Sequence, residues 1–318
     1  MSVRTETDAL NKSALSMAAA GAAVGLGFFD GLHMGHMSLI GNLIRIANDE
    51  KVCPLLYTFS EHPQNMLNKA KKLSLLTDNE QKRMLIMRTG VKGVYFDDFG
   101  PALSEMAPEE FAQSILLKKL RARCVVAGYN FRFGRNRAGD SNTLLKLGTD
   151  YKFKVRIIEP YLVDGTSVSS SVIRRCIESG DMQTASHFLG RLFSLRGTVS
   201  EGRRIGRQIG ASTANIILDN RVIVPKEGAY ISSTRIGYRL YKGLTNIGRN
   251  PTLGLLDSPV AETHILDFDE NIYGREIEVF IHKRIRDELK FLGIDHLKAR
   301  IQEDIVIARD YFGNGLRL

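Results

Sequence analysis

The sequence predicts two domains: a Rossmann-like α/β domain with a parallel sheet and flanking helices, then a small antiparallel β-barrel with a C-terminal helix. In residues 22–158, short apolar runs alternate with amphipathic segments, which is typical of a parallel sheet. From about residue 193 to 281, runs rich in Val, Ile, Thr and Tyr between Gly-containing turns replace that alternation. The chain has 318 residues, 43% of them hydrophobic, which is enough for two cores. We place the domain boundary between residues 1–186 and 187–318.

Composition and charge favour a protein that acts on small molecules. The net charge of +9 divides into +5 for the first predicted domain and +4 for the second, so there is no basic tail. An even excess suits polyphosphate substrates at least as well as nucleic acid. No apolar run approaches the roughly 20 residues that span a bilayer. Cys53, Cys124 and Cys176 are far apart, which favours free thiols over a disulfide framework or a zinc site. We expect a cytoplasmic protein with neither nucleic acid nor a membrane as partner, and self-association stays open.

Residues 27–36 stand between a predicted strand and a predicted helix. Ala22–Leu26 is apolar enough for a buried strand, and residues 37–47 place their apolar side chains on one helical face. Glycines in such a turn let backbone N–H groups approach a ligand, and the helix directs its positive end there, so a phosphate is the expected ligand. His33 and His36 share a face if the helix begins at or just before His33. Both could then donate hydrogen bonds to phosphoryl oxygens.

The same segment has the form Gly-x-Phe-Asp-Gly-x-His-x-Gly-His. A histidine near a turn is more often a surface residue, and the strand–helix setting is what favours a functional interpretation. The form resembles the nucleotidyltransferase signature that holds ATP phosphates, and in full it resembles bacterial riboflavin kinase/FAD synthetases. The resemblance implies an α/β nucleotidyltransferase domain in which His33 and His36 are catalytic and stabilise growing charge. It also implies that the turn binds nucleotide or flavin through Gly27, Phe28, Asp30, Gly31 and Gly35.

The other elements of the first domain follow from apolar runs and capping signals. Residues 1 to about 20 carry no strong pattern, and we expect a partly frayed end. Residues 77–80, Thr-Asp-Asn-Glu, have capping-box spacing and predict a helix that ends at Gly90. Pro108 followed by two glutamates predicts a helix as far as Leu120. The remaining predicted strands are 52–59, 94–96, 124–127 and 155–158.

A loop after the 124–127 strand is the next candidate site, because an α/β sheet binds ligands at the carboxyl ends of its strands. Residues 128–140 interleave glycines, aromatic residues and three arginines. A solvated basic loop beside two core phenylalanines is the alternative. The segment resembles the Gly-x-Asn-Phe-Arg-Phe-Gly loop of FAD synthetases, which implies nucleotide or flavin contacts by Asn130 and Arg132. At the end of the 52–59 strand, Glu61 replaces the first proline of the family's Pro-His-Pro. His62 is either a substrate contact or a loop histidine fixed by Pro63.

Three consecutive serines mark a predicted helix start. Their hydroxyl groups can cap that helix, and with Arg174 they can also bind phosphates from the side opposite the histidines. The family pattern is Ser-Ser-Thr-x-Ile-Arg, so Ser171 replaces threonine and keeps the hydroxyl. The residues expected to bind here are Ser169, Ser170, Ser171 and Arg174.

The predicted barrel holds a second phosphate-binding candidate, a glycine-rich basic turn followed by a hydroxyl and an amide. Backbone N–H groups and arginine suit phosphate, and hard oxygens suit Mg²⁺. The turn resembles the riboflavin kinase motif Gly-Phe-Pro-Thr-Ala-Asn, which implies that Thr213 and Asn215 bind Mg²⁺. Ala211 and Ser212 replace phenylalanine and proline. Because the loss of proline frees φ, we expect a looser loop and a kinase that is weaker or differently regulated. Its expected nucleotide- or flavin-binding residues are Gly202, Arg207 and Gly210.

Two further barrel residues complete the expected kinase site. Glu262 lies in an alternating strand, where a carboxylate normally faces water. The family resemblance instead implies that Glu262 is the catalytic base. Asn246 opens the stretch Asn-Ile-Gly-Arg-Asn-Pro-Thr and is expected to bind substrate. A final helix is predicted from about residue 294.

The predicted function is bifunctional flavin-cofactor synthesis. The C-terminal domain would transfer the γ-phosphoryl of ATP to riboflavin, giving FMN, with Mg²⁺ as cofactor. The N-terminal domain would transfer AMP from ATP to FMN, giving FAD and pyrophosphate. Two alternatives are a flavin- or nucleotide-binding regulatory protein that has lost catalysis, and a pantetheine-phosphate-type adenylyltransferase fused to an unrelated barrel.

Overall fold

The computed structural model describes residues 3–67, 72–200, 213–249, 259–289 and 293–313, with side chains except at 3–6, 67, 249 and 294. The chain divides into two compact units, Met1–Ser170 and Ser171–Leu318. The first holds a parallel sheet and the second a closed antiparallel barrel, which confirms the predicted fold class. The functional boundary between residues 186 and 187 stays a prediction. Within the described residues, no helix is long and apolar enough to cross a membrane.

The first unit is built on a five-stranded parallel sheet. Its strands are β1 Ala22–Leu26, β2 Cys53–Phe59, β3 Gly93–Asp97, β4 Ala122–Gly128 and β5 Lys154–Ile158. Their order is β3-β2-β1-β4-β5, so the direction of strand addition reverses between β1 and β4. Ligands of open α/β sheets bind at the carboxyl ends of the strands beside such a reversal. A small hairpin follows, formed by β6 Leu162–Val163 and β7 Thr166–Ser167.

Helices cover both faces of this sheet. They are α1 Val3–Met17, α2 Met34–Asp49, α3 Pro63–Leu67, α4 Asn79–Met87, α5 Pro101–Ser104, α6 Pro108–Glu110 and α7 Ser141–Asp150. The chain continues from α6 through Phe111–Lys119 with the wider winding of a π-helix. One apolar cluster joins α2 and α4 to one face through Leu43 and Ile86. The other lies on the opposite face and includes Leu116 and Leu147.

The N-terminal helix α1 corrects the expectation of a frayed end. It packs along the edge strand β3, where Ala14 is 1% exposed and lies close to Gly93. The Asn11 side chain donates to the carbonyl of Phe96 at 2.7 Å and accepts from the N–H of Phe96 at 2.8 Å. One amide side chain therefore satisfies both backbone groups of an edge-strand residue, as a neighbouring strand would.

Two local predictions differ from the structure. The cap of α4 is Asp78, whose carboxylate accepts from the N–H of Gln81 at 2.7 Å, and not Thr77. The Thr77 hydroxyl instead accepts from the N–H of Gly31 at 3.3 Å, so a long-range contact takes the place of the local one. Helix α7 was not predicted, although Asp140 caps it through the N–H of Thr143 at 2.9 Å.

Among its described residues, the second unit has a barrel and three helices. The helices are α8 Ser170–Ser179, which begins at the last residue of the first unit, α9 Met182–Leu189 and α10 Ile294–Gly313. The strands are β8 Phe193–Ser200, β9 Thr213–Ile217, β10 Gly228–Ile236, β11 Arg239–Arg249, β12 Pro259–Ile265 and β13 Glu276–Arg286. They close in the order β10-β11-β12-β9-β8-β13. Helix α9 packs against β8 and β13.

Helix α10 covers one outer face of the barrel. Its Ala308 and Phe312 pack with Ile231 and other apolar residues of the strands. A buried ion pair also holds it, because Asp304 accepts from Arg286 through Nε at 3.0 Å and Nη2 at 2.8 Å. The predicted C-terminal helix is thus confirmed, and its apolar side is the one that packs on the barrel.

Part of the predicted kinase motif lies outside the described residues. This part comprises the three expected nucleotide- or flavin-binding residues and the two departures from the family motif, namely Gly202, Arg207, Gly210, Ala211 and Ser212. Their roles stay predictions.

Candidate functional site

The turn after β1 is held in an uncommon backbone conformation. Phe29 has φ 55° and Gly31 has φ 75°, both in the left-handed region. A Cβ on Gly31 would lie 2.5 Å from Leu76, so only glycine fits there without displacement. The Asp30 carboxylate is 2% exposed and accepts from the N–H groups of Leu76 at 2.8 Å and Thr77 at 3.3 Å. Asp30 therefore anchors the turn from inside, and its predicted contact with nucleotide or flavin stays a prediction.

His33 and His36 lie together at the start of α2. His33 is the N-cap, and its Nδ1 accepts from the backbone N–H of His36 at 3.3 Å. Because Nδ1 accepts, the proton of a neutral His33 ring is on Nε2, where it can be donated. The two rings stack, with centroids 3.7 Å apart and planes 15° apart. The predicted shared face is present, and helix α2 begins three residues earlier than predicted.

Neighbouring glycines allow these rings to pack closely. A Cβ on Gly35 would lie 3.2 Å from the ring of His33, and one on Gly27 would lie 3.0 Å from the ring of Phe29. The Phe29 ring in turn meets the ring of His36 edge-on, with centroids 5.3 Å apart. The glycines predicted as ligand contacts therefore also serve the packing of the histidine pair.

A lysine that the sequence patterns did not single out lies below this turn. Lys82 of α4 is 1% exposed, and its Nζ donates to the carbonyls of Phe59 at 3.0 Å and Phe28 at 3.4 Å. Burial lowers the pKa of Lys82 to about 8, and the nearby Asp30 carboxylate opposes that shift. The Phe28 ring contacts both Lys82, whose Nζ is 4.0 Å from the ring centroid, and His62, whose ring centroid is 4.5 Å away in an edge-on arrangement.

The predicted loop after β4 divides into a buried and an exposed part. Phe133 is 7% exposed and packs in the core, as the alternative interpretation expected. Asn130 and Arg132 are exposed at the carboxyl end of β4. The Arg132 guanidinium donates to the carbonyl of Phe131 at 3.1 Å. This placement leaves Asn130 and Arg132 accessible to a ligand at the strand end.

The serine cluster begins helix α8 as predicted. The hydroxyl of Ser170 donates to the carbonyl of Asp30 at 3.1 Å, a contact within the first unit. Ser169 is half-buried in the same unit. Ser171, which is exposed, and Arg174, which is 6% exposed, belong to the second unit.

In the barrel, three predicted site residues form a row across adjacent strands. Asn246 on β11 pairs with Glu262 on β12, and Glu262 pairs with Asn215 on β9. Paired residues of antiparallel strands point to the same side of a sheet. Ala261 and Thr263 are fully buried, so Glu262 between them points to the outer face of the barrel. The row therefore brings one carboxylate and two amides together outside the barrel.

Two more residues extend this row. Thr213 lies two residues before Asn215 on β9, so its side chain shares the outer face. The Asn246 side chain hydrogen-bonds to Glu288, which the sequence patterns did not single out. Burial raises the pKa of Glu288, and the neighbouring Glu227 carboxylate raises it further. Among the described residues, no group of three or more His, Cys, Asp or Glu side chains is arranged to hold a metal ion.

Together, these sites define a class of enzyme. A histidine pair at a helix start beside the sheet reversal suits a phosphate-transferring nucleotide enzyme, and the carboxylate–amide row suits a second activity on the barrel. Comparison with known proteins supports this class of enzyme. Residues 15–172 match the FAD synthetase family, and residues 189–312 match the riboflavin kinase family.

Full-length relatives extend this match to nearly the whole chain. The bifunctional riboflavin kinase/FMN adenylyltransferase of Bacillus subtilis (strain 168) is 33% identical over 292 residues, which are 91% of this chain and 92% of the relative. The protein of that name from Escherichia coli (strain K12) is 31% identical over 92% of this chain and 93% of its own. The chain belongs to the bifunctional riboflavin kinase/FMN adenylyltransferase family.

A solved structure shares the fold. The crystal structure of a protein named macrolide-efflux protein, from Streptococcus pneumoniae, has a TM-score of 0.83 and 28% sequence identity to this chain. The match covers 91% of this chain and 94% of that one. The order of a parallel-sheet unit followed by a barrel unit is therefore found in an experimental structure.

Proposed function

We propose that the chain makes FMN from riboflavin on its barrel unit and FAD from FMN on its parallel-sheet unit, using ATP in both reactions. The observation that carries this proposal is that each unit holds its own polar site. The histidine pair stands at the start of α2 in the first unit, and the Asn215–Glu262–Asn246 row stands on the barrel. Two separate sites suit two chemically distinct transfers.

In the first unit, a phosphate oxygen of FMN attacks the α-phosphorus of ATP, and pyrophosphate leaves. Negative charge on the α-phosphate oxygens grows in the transition state, so donors aimed at those oxygens accelerate the reaction. His33 is set to donate from Nε2, because its Nδ1 accepts from the backbone. His36, stacked on it, is the second donor. The exposed Asn130 and Arg132 are the contacts at the end of β4.

On the barrel, Glu262 takes the proton from the terminal ribityl hydroxyl of riboflavin as that oxygen attacks the γ-phosphorus of ATP, and ADP leaves. Asn246, beside it in register, holds the substrate. Thr213 and Asn215 supply hard oxygen atoms on the same face as Glu262, and this donor chemistry fits Mg²⁺. Thr213 and Asn215 would hold the ion, which would supply positive charge against the ATP phosphates when bound.

The free thiols of the chain favour the cytoplasm as the compartment of this activity. Cys53, Cys124 and Cys176 are all unbridged, which suits the reducing cytoplasm. We place the protein there, with riboflavin, FMN and ATP as its partners.

One incubation separates this proposal from its rivals. The protein is mixed with riboflavin, ATP and Mg²⁺, and the flavins are separated by chromatography. We expect FMN to form first and FAD to follow. A regulatory protein without catalysis leaves riboflavin unchanged, and a pantetheine-phosphate-type adenylyltransferase fused to an unrelated barrel forms neither FMN nor FAD.

A further inference from the structure

Helix α4 contacts the phosphate-binding turn from its buried side through residues that the proposed chemistry does not use. The Asp30 carboxylate of the turn accepts from the N–H groups of Leu76 and Thr77, just before α4. Lys82, one turn into α4, donates its ammonium group to the carbonyl of Phe28 in the same turn and to the carbonyl of Phe59 at the end of β2. The segment from residue 76 to 82 therefore holds the turn at two points, through the carboxylate of Asp30 and through the carbonyl of Phe28.

Burying this ammonium group carries a large desolvation cost, which a purely structural site would avoid with an apolar side chain. Two carbonyls, the face of Phe28 at 4.0 Å and the face of Phe96 at 5.6 Å offset part of that cost. The Asp30 carboxylate adds a favourable charge interaction. Because the pKa of Lys82 is lowered only to about 8, the side chain is mostly charged near neutral pH.

The geometry of one peptide group shows what Lys82 can do. The carbonyl of Phe28 accepts from the Thr58 hydroxyl at 2.9 Å as well as from Lys82 at 3.4 Å. In a planar trans peptide, the C=O of Phe28 and the N–H of Phe29 point in opposite directions. A carbonyl directed at Lys82 therefore turns the N–H of Phe29 away from the buried side of the turn.

The left-handed backbone conformation of Phe29 also needs contacts that hold it in place. Its φ of 55° is uncommon for a non-glycine residue, and it persists only where the surroundings hold it. Phe29 is fully buried, and its ring meets His36 edge-on. A change in the Phe28–Phe29 peptide would thus reach both a backbone donor of the turn and a ring beside the histidine pair.

We propose that Lys82 is a positioning residue for adenylyl transfer: its ammonium group orients the Phe28–Phe29 peptide so that the N–H of Phe29 faces the phosphates of ATP. This inference rests on the adenylyl transfer proposed for the first unit. Lys82 touches neither substrate, and it acts through the peptide that it holds.

The first experiment removes the ammonium group and keeps the bulk of the side chain. Lys82→Met in the full-length protein should lower kcat for FAD formation about tenfold, less than the 10²–10³-fold typical of a donor that is itself deleted. The KM for FMN should stay within about twofold, because the lost interaction acts at the transition state. FMN formation by the same molecules is the internal reference and should not change. Lys118→Met, which alters an exposed lysine of the same unit, should behave as wild type.

A chemical rescue separates orientation by the ammonium group from simple loss of structure. Lys82→Ala leaves room for a small amine, so ethylammonium should restore part of the FAD formation. Tetramethylammonium at the same concentration carries the same charge without an N–H donor and should restore none. Thermal unfolding of each variant shows whether the first unit is still folded.

Each other outcome counts against the proposal. It is overturned if Lys82→Met forms FAD within twofold of wild type, or if both cations rescue Lys82→Ala equally. It is also overturned if ethylammonium fails to restore FAD formation, because the missing ammonium group is then not the cause of the loss. If the wild-type protein itself forms no FAD from FMN and ATP, the adenylyl transfer proposed for this unit fails first, and that result is visible before any variant is compared.

Discussion

Single residues of the first unit combine packing and chemistry. His33 caps α2 with Nδ1, and the ring of His36 stacks on it. The spacing of these histidines was readable from the sequence, because a helix start places residues three apart on one face. Lys82 was not readable in this way. Lysine is normally exposed, and its burial depends on two carbonyls that the chain brings together only on folding.

The histidine pair makes the first prediction. His36→Ala should reduce FAD formation by about 10²-fold or more, the range for one lost transition-state donor. FMN formation should survive, because the barrel has its own site. Both products are measured by chromatography, with His296→Ala, an exposed histidine of α10, as the control. An equal loss of both activities in a folded protein would rule out separate sites.

Glu262 makes the second prediction at this scale. Glu262→Gln keeps the shape of the side chain and removes its basicity, so FMN formation should fall by about 10²-fold or more. Binding of ATP and riboflavin, measured by calorimetry, should remain nearly intact. Glu270→Gln changes an exposed carboxylate of the same unit and should have no effect. Near-normal turnover by Glu262→Gln would mean that another group is the base.

His282 makes stability depend on pH. It lies under α10, is 2% exposed and hydrogen-bonds to Ser233 through Nε2 at 2.9 Å, with the rings of Tyr311 and Phe312 edge-on to it. Burial lowers the pKa of His282 to about 4 from the usual 6.5. Between these two values the unfolded chain binds the extra proton, so stability is intact above pH 6.5 and is lost as the pH falls towards 4.

The burial of His282 should lower the free energy of unfolding by about 3 kcal/mol at pH 4. Urea unfolding of the full-length protein, followed across this pH range, measures it. His282→Leu should remove this part of the pH dependence, whereas His296→Gln should keep it. An identical pH dependence in His282→Leu and wild type would show that other groups cause the acid destabilisation.

At the scale of elements, apolar runs predicted every strand of the parallel sheet to within two residues. Buried strands have a local signal, because each needs a short run of apolar side chains. Helix α1 lacked one, since the side chain that it buries most deeply is the small Ala14 and its contact with the edge strand is made by the polar Asn11. The cap of α4 was predicted one residue too early. The Thr77 hydroxyl is not the cap, because it accepts from the N–H of Gly31, 46 residues away. Contacts between distant segments decided the features that local patterns missed.

Helix α1 yields a prediction of its own. Asn11 pairs with both backbone groups of Phe96, so Asn11→Ala leaves an N–H and a carbonyl of the edge strand without those partners. The first unit should lose about 1–3 kcal/mol of stability, measured as a lower urea midpoint for loss of FAD formation. Asn48→Ala, at an exposed asparagine of α2, is the control. An unchanged midpoint in Asn11→Ala would show that water replaces both bonds without cost.

At the scale of the whole molecule, the sequence changes from strand–helix alternation to short strand-like runs between glycine-containing turns, and this change located the barrel. The proposed functional boundary at residue 187 follows from the same change. In the structure, α9 and all of α8 except Ser170 belong to the same compact unit as the barrel. The carbonyl of Ile177 in α8 accepts from the N–H of Lys226 at 3.2 Å, and Gly180 packs closely against Arg284 of β13. These contacts have no sequence signal, because they join segments about 50 to 100 residues apart.

The last prediction compares two fragments that differ by these helices. Residues 171–318 retain α8 and α9, whereas residues 187–318 lose Ile177 and Met182, which are at most 1% exposed. Each such side chain contributes about 1.5–3 kcal/mol when buried, so the longer fragment should unfold at a clearly higher urea concentration. Both should phosphorylate riboflavin and neither should form FAD, because the histidine pair is absent. Equal urea midpoints would show that α8 and α9 do not stabilise the barrel, and a well-folded longer fragment that leaves riboflavin unchanged would show that the kinase needs residues of the first unit.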